Sequence, residues 1–129
     1  MSKKLKVKKT SIPRPNVSFS FKYWQNNHHK FSIKGQDKTY FITLLERLKH
    51  LSTWTVQDLL LSRSSAIRCH PIEWSDTTEK EFGIANEEQL VDTPYQIAVS
   101  ANAYGRIHGF FIDNIFYIVW LDPNHLLYS

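Results

Sequence analysis

The chain has 129 residues, of which 42% are hydrophobic and 14% aromatic, and carries a formal charge of +4. That length suits one domain and leaves little room for two, while the apolar content is enough for one packed core and unlike that of a disordered chain. The charge is uneven. Residues 1–15 hold Lys3, Lys4, Lys6, Lys8, Lys9 and Arg14 with no acid, so the other ten of the sixteen basic residues face all twelve acids and the remainder carries −2.

The expected organisation is a basic, flexible arm over residues 1–15 and a single domain over 16–129. Such an arm holds phosphate by charge alone, which makes its five lysines and Arg14 candidate contacts for RNA, DNA or the ribosome; a solubilising terminus is the plainer reading. No apolar stretch of the roughly 7–15 residues of a secretory signal follows the lysines. The longest apolar run, 115–121, covers seven residues, and a membrane-spanning helix needs roughly 20. A single cysteine, Cys69, excludes an intramolecular disulfide framework and fits a reducing cytoplasm; it reads as a small core residue.

In chain order, residues 17–23 alternate apolar and polar, predicting a first strand with Val17, Phe19, Phe21 and Tyr23 on its inner face. A short partner strand is expected over 28–33, closed by Gly35. From Thr39 the spacing changes: Tyr40, Phe41, Leu44, Leu45, Leu48 and Leu51 recur at three and four, the stripe of an amphipathic helix. Ser52-Thr53-Trp54-Thr55 supplies a cap, and Val56, Leu59 and Leu60 continue as a second, shorter helix to about Arg63.

The second half predicts an extended 67–74, an acidic turn or short helix over 76–88, and a strand over 95–101 introduced by Pro94. Residues 106–112 and 115–122 form a hairpin around Asp113-Asn114, residue types that tolerate positive φ. Asp122-Pro123 reads as a cap followed by proline at the first helical position, so 124–128 is expected to form one helical turn. The fold class is α+β: a small antiparallel sheet packed against a two-helix hairpin.

With Asp113-Asn114 as the turn, uninterrupted pairing sets His108 opposite Val119 and Arg106 opposite Leu121. Arg106, His108 and Phe110 then share a face with Tyr117, and Ile107, Phe111, Phe116, Ile118 and Trp120 form the opposite, core face. A buried arginine is costly without a partner, so Arg106 is expected at an open end of the sheet.

Cleaving RNA without a metal needs a base for the 2′-hydroxyl, donors for the growing phosphate charge, and an acid for the leaving oxygen. His125, Arg106 and Tyr128 have the right chemistry, and His108 and His70 are further candidates. Each also has a plain structural reading, a hydrogen-bonded histidine or a C-terminal anchor. The six histidines (28, 29, 50, 70, 108 and 125) show no paired metal-ligand spacing, and neither a glycine-rich phosphate loop nor a supported nucleophile around Ser64 or Cys69 occurs. No metal or cofactor is therefore expected. Trp24, Trp54 and Trp74 could stack on bases, but packing is the better reading.

A first strand, two helices and a terminal sheet ending in R-x-H-G-F and V-W-L-D-P-N-H-L-L-Y resemble the RelE/ParE-type toxin superfamily. The resemblance pairs the family's tyrosine-arginine on the penultimate strand with Tyr104-Gly105-Arg106, one glycine inserted, and its terminal histidine and tyrosine with His125 and Tyr128. It implies a small cytoplasmic toxin, neutralised by an antitoxin, that cleaves mRNA on the ribosome or inhibits DNA gyrase. Two departures stand out: the helix pair carries only Arg47, Lys49 and Arg63, and Asp122-Pro123 precedes His125. The competing expectation is a noncatalytic module, gyrase-inhibitor-like or accessory, binding a protein partner through the hairpin.

Overall fold

A computed structural model of the chain describes residues 15–128; Lys3, Lys4, Lys6, Lys8, Lys9 and Arg14 lie outside the described residues. The elements run β1 (Ser18–Ser20), α1 (Lys38–Leu51), α2 (Val56–Leu61), β2 (His70–Pro71), a 3-10 turn (Trp74–Asp76), α3 (Glu87–Leu90), β3 (Pro94–Ala98), β4 (Arg106–Ile112) and β5 (Ile115–Asp122). The architecture is mixed α+β, with one five-stranded sheet in the order β1-β5-β4-β3-β2. No helix among the described residues is long and apolar enough to cross a membrane.

The sequence predicts an antiparallel sheet, but β1 runs parallel to β5. The two strands are far apart in sequence, and the elements between them supply the long connection that a parallel pair requires. β1 is also shorter than its alternation suggests. Beyond Ser20 the chain turns, with Lys22 N–H donating to Ser20 Oγ and Trp24 N–H to the Phe21 carbonyl, so Phe21 lies outside the core, 45% exposed.

α1 begins where the Asp37 carboxylate accepts the Tyr40 N–H, and it ends with Lys49 and His50 near its C-terminus. Its Tyr40, Leu44, Leu48 and Leu51 are buried, while Leu45, expected on the same stripe, is 63% exposed. α2 starts with a reciprocal capping box between Thr55 and Asp58. The two helices cover one sheet face, where Leu44, Leu48, Leu51 and Leu59 join Ile97, Ile107, Phe116, Ile118 and Leu121.

Loops cover the other face. Residues 28–33 form a bend and irregular backbone instead of the expected strand, and Phe31 folds across the sheet and stacks on Trp120 with ring centroids 4.3 Å apart. Ile72, Phe82 and Leu127 complete this second, aromatic-rich layer, with Tyr23, Trp74 and Tyr128 around it. Trp24 and Trp54 pack against the helical layer. In the acidic segment, the Glu87 carboxylate accepts the N–H groups of Phe82, Gly83 and Ile84, which folds the chain ahead of α3.

The β4–β5 hairpin has the expected strands and turn, with Asp113 at φ 53. Its register holds from Ile112↔Ile115 to Gly109↔Ile118 and then shifts by one, giving His108↔Trp120, Ile107↔Leu121 and Arg106↔Asp122. Val119 is the extra residue of a β-bulge, and its carbonyl accepts the Gln25 N–H at 2.9 Å. Gln25 Oε1 also accepts the Trp120 indole N–H at 2.8 Å. The bulge moves Trp120 to the loop-covered face beside His108 and Phe110, and carries Leu121 to the helical face. Opposite the irregularity, a Cβ on Gly109 would run into the Tyr117 carbonyl and the Phe116 ring, so only glycine fits there.

Candidate functional site

The shifted register puts Asp122 across from Arg106, with a buried carboxylate. That carboxylate accepts the Leu126 N–H at 2.8 Å, the Leu127 N–H at 3.0 Å and His108 Nε2–H at 3.1 Å. Its backbone carbonyl accepts the His125 N–H at 3.2 Å. The expected helical turn over 124–128 is absent: His125 has φ 55, and Asp122 gathers the segment into a tight non-helical turn. From the other side, Thr78 donates its N–H to the Leu127 carbonyl and its hydroxyl to the Leu126 carbonyl.

Burial works against the Asp122 charge, but the His108 hydrogen bond and the Leu126 and Leu127 N–H groups outweigh it and hold the carboxyl below its ordinary value. Burial lowers the His108 pKa against the opposing pull of Asp122, which leaves a neutral imidazole with Nε2–H toward the carboxylate. A second proton would leave a buried Nδ1–H with no acceptor among the described residues. His108 is fully buried and does not line the cleft described next. Its role is to hold Asp122 and, through it, the C-terminal turn.

That cleft, about 450 Å³, lies where β2, β3 and β4 meet the C-terminal turn and brings together Arg106, His70, His125 and Tyr128, four of the five residues singled out by type. Arg63, Arg68, Cys69, Gln96 and the serines of the 62–65 loop join them. Three of the four arginines beyond the arm therefore line one cleft, with no carboxylate in its lining among the described residues. A second lobe of about 400 Å³ continues from it along 101–105 and 123–125, sharing Arg68, Arg106 and His125.

The backbone around the cleft is fixed and partly strained. Ser62 and Ser64 hydroxyls accept the N–H groups of Ser64 and Ala66, and Arg68 Nε donates to the Ser65 carbonyl at 2.7 Å. Arg47, reaching over from α1, donates to the Ala66 and Val99 carbonyls and ties this loop to the end of β3. Arg68, Tyr104, Gly105 and His125 all have positive φ, between 49 and 68°, a concentration typical of functional sites. At Gly105 a Cβ would strike the Asp122 carbonyl, so glycine lets the β3–β4 loop lie against the Asp122-Pro123 backbone. The Tyr104 ring packs on Tyr40, with centroids 5.9 Å apart.

The side chains differ in what they can do. Burial and neighbouring Arg68 lower the Arg106 pKa, Asp122 opposes them, and the guanidinium stays cationic. Arg106 donates to the Gly105 carbonyl, while its buried Nε has no partner among the described residues. Burial raises the Tyr128 pKa, with Asp76 and Glu73 charges adding to it, while the Glu73 backbone opposes by hydrogen-bonding the phenol oxygen. Both ring nitrogens of His70 are engaged, Nδ1 with the Pro71 carbonyl at 3.0 Å and Nε2 with Gln96 Nε2 at 2.8 Å. Cys69 is half-buried in the lining, and burial pushes its thiol up to about 12, which leaves little thiolate.

Arg68, Arg63 and Gln96 were not singled out from the sequence. A signal for two of them is present: serines interleaved with arginines in S-R-S-S-A-I-R, directly ahead of Cys69-His70. Among the described residues no group of three or more His, Cys, Asp or Glu side chains is placed to hold a metal ion. Comparison with protein-family models, curated proteins and solved structures returned no match.

Proposed function

We propose that the cleft is a phosphodiester site and that the protein is a toxin-like, metal-independent endoribonuclease acting on mRNA and restrained by an antitoxin. The observation that carries this reading is the convergence of Arg63, Arg68 and Arg106 with His125 and Tyr128 on one cleft whose lining has no carboxylate among the described residues. Such a lining attracts a phosphate and repels a divalent cation, which suits charge stabilisation by arginine.

In the proposed reaction His125 takes the proton of a 2′-hydroxyl, and the 2′-oxygen attacks the adjacent phosphorus. Arg106 and Arg68 stabilise the charge that grows on the phosphoryl oxygens. The bond from phosphorus to the 5′-oxygen breaks, and that oxygen takes the Tyr128 proton. The products are a 2′,3′-cyclic phosphate and a 5′-hydroxyl, and the proton returns from His125 to Tyr128 through solvent. Tyr128 suits the donor role because its raised pKa keeps it protonated, and the Glu73 amide occupies a lone pair of its oxygen and leaves the O–H free.

The antitoxin partner follows from the RelE/ParE-type resemblance, with Ile42 and Leu45 of α1 and Leu60 and Leu61 of α2 supplying exposed apolar surface. The hairpin does not serve the competing binding-only reading well, since both of its faces are covered by protein. Expression of the wild type is expected to arrest growth, with relief by His125→Ala. Harmless expression of a folded wild type would remove the toxin reading.

A further inference from the structure

The cleft has a cationic waist with a lobe on each side. Arg68, Arg106 and His125 belong to both lobes, whereas Arg63, His70, Gln96 and Tyr128 belong only to the first. Beyond the waist the second lobe carries no charge: it is walled by residues 101–105, Pro123 and Asn124. With the shared waist it encloses about 400 Å³ and is open to solvent. A phosphate alone would use the waist and leave this lobe empty.

The second lobe is also held in shape. Ser100 and Ala103 exchange two hydrogen bonds across the loop, through the hydroxyl of Ser100. Val99 N–H donates to the Gly105 carbonyl, and His125 N–H to the Asp122 carbonyl on the opposite wall. Asn102 and Asn124, one on each wall, are exposed and make no side-chain hydrogen bond within the described residues. A free carboxamide presents a donor and an acceptor together, the pattern that matches the edge of an unpaired base.

We infer that the cleft takes one dinucleotide unit of single-stranded RNA, with its phosphate at the Arg68–Arg106–His125 waist and the base of one flanking nucleoside read by Asn102 and Asn124. The first lobe receives the other nucleoside beside His70 and Tyr128. This inference rests on the ribonuclease reading for the identity of the ligand, and it adds a specificity site to it.

The test uses 2′-O-methyl dinucleoside monophosphates of all base combinations, which cannot be cleaved because the attacking hydroxyl is blocked, together with the matching nucleoside 3′- and 5′-phosphates. Wild type, Asn102→Ala, Asn124→Ala and Arg68→Ala are titrated with each by calorimetry or fluorescence anisotropy. At least one dinucleoside is expected to bind about tenfold tighter than either of its mononucleotides. The asparagine variants should flatten base preference at one position and leave the other unchanged, whereas Arg68→Ala should weaken all sequences alike. Mononucleotides binding as tightly as dinucleosides, or base preference that survives both asparagine substitutions, would overturn the inference. If the expected binding pattern holds but unmodified RNA stays intact, the ribonuclease reading fails and the subsite stands. If RNA is cleaved with no dinucleoside advantage, the reverse follows.

Discussion

His108 Nε2 lies 3.1 Å from Asp122 Oδ2, with both side chains buried at the end of the β4–β5 hairpin. The pair connects the core to the cleft: His108 stands among Phe31 and Trp120, and Asp122 holds the turn that carries His125 and Tyr128.

Asp122→Asn replaces an acceptor of three N–H groups with a side chain that keeps one acceptor oxygen and turns an NH2 toward donors. Hydrogen bonds to a charged acceptor contribute about 1.5–3 kcal/mol and a buried N–H left unsatisfied costs about 1–3 kcal/mol, so urea unfolding should show a loss of about 3 kcal/mol. A change below about 1 kcal/mol would mean that Asp122 does not hold the turn.

Stability should fall as pH drops below neutrality. His108 has a lowered pKa in the folded protein, and burial is the main cause. Below the ordinary histidine value of 6.5 the unfolded chain therefore takes up a proton that the folded chain refuses, and the unfolded state gains. His28, lowered by burial and by His29, adds in the same window. Asp122, held low, contributes stability that is present above the ordinary carboxylate value of 3.8 and lost in stronger acid as pH falls through its folded pKa. His108→Gln keeps a donor toward Asp122 and removes the titration, so its urea midpoint should vary less between pH 6.5 and the acid limb. An unchanged slope would assign the effect to other groups.

Gly109→Ala should destabilise the fold by about 3 kcal/mol, since the added Cβ meets backbone and a packed ring rather than a flexible side chain. Thermal unfolding would check it, and a variant as stable as wild type would contradict the observed close approach of β4 to β5.

The Cys69 thiol, pushed up to about 12 by burial, should react with a disulfide reagent orders of magnitude more slowly in the folded protein than in urea. Cys69→Ala should leave any RNA cleavage within about twofold of wild type. Fast native labelling, or loss of cleavage on substitution, would contradict the reading of this residue as an inert part of the cleft wall.

Much of this architecture is legible along the chain because it is written in local spacing. The stripe from Tyr40 to Leu51, the Thr55 cap and the Asp113-Asn114 turn each need only neighbours in sequence. The hairpin register fails beyond Ile118 because the bulge at Val119 is fixed by Gln25, a residue far away in the chain. That one shift moves Trp120 across the sheet and sets Asp122, not Leu121, opposite Arg106.

The site divides in the same way. Arg106, His70, His125 and Tyr128 stand out by residue type, and the fold brings all four to one cleft. His108 stands out equally and is buried, since nothing local distinguishes a structural imidazole from a functional one. Arg68 reaches the cleft through a local turn built by Ser64 and Ser65, held in place by the Arg47 clamp, which is a tertiary feature. Asp122 reads locally as a helix cap, and its role depends on His108 and on the left-handed backbone at His125.

The most direct test of the proposed chemistry is incubation of the purified protein with end-labelled mRNA in excess chelator, with and without ribosomes, beside Arg106→Ala and His125→Ala. Cleavage is expected to survive chelation, to leave 2′,3′-cyclic phosphate ends, and to fall by about 10²–10⁴-fold in each folded variant. Intact RNA under all conditions, or cleavage undiminished in both variants, would contradict the proposed chemistry.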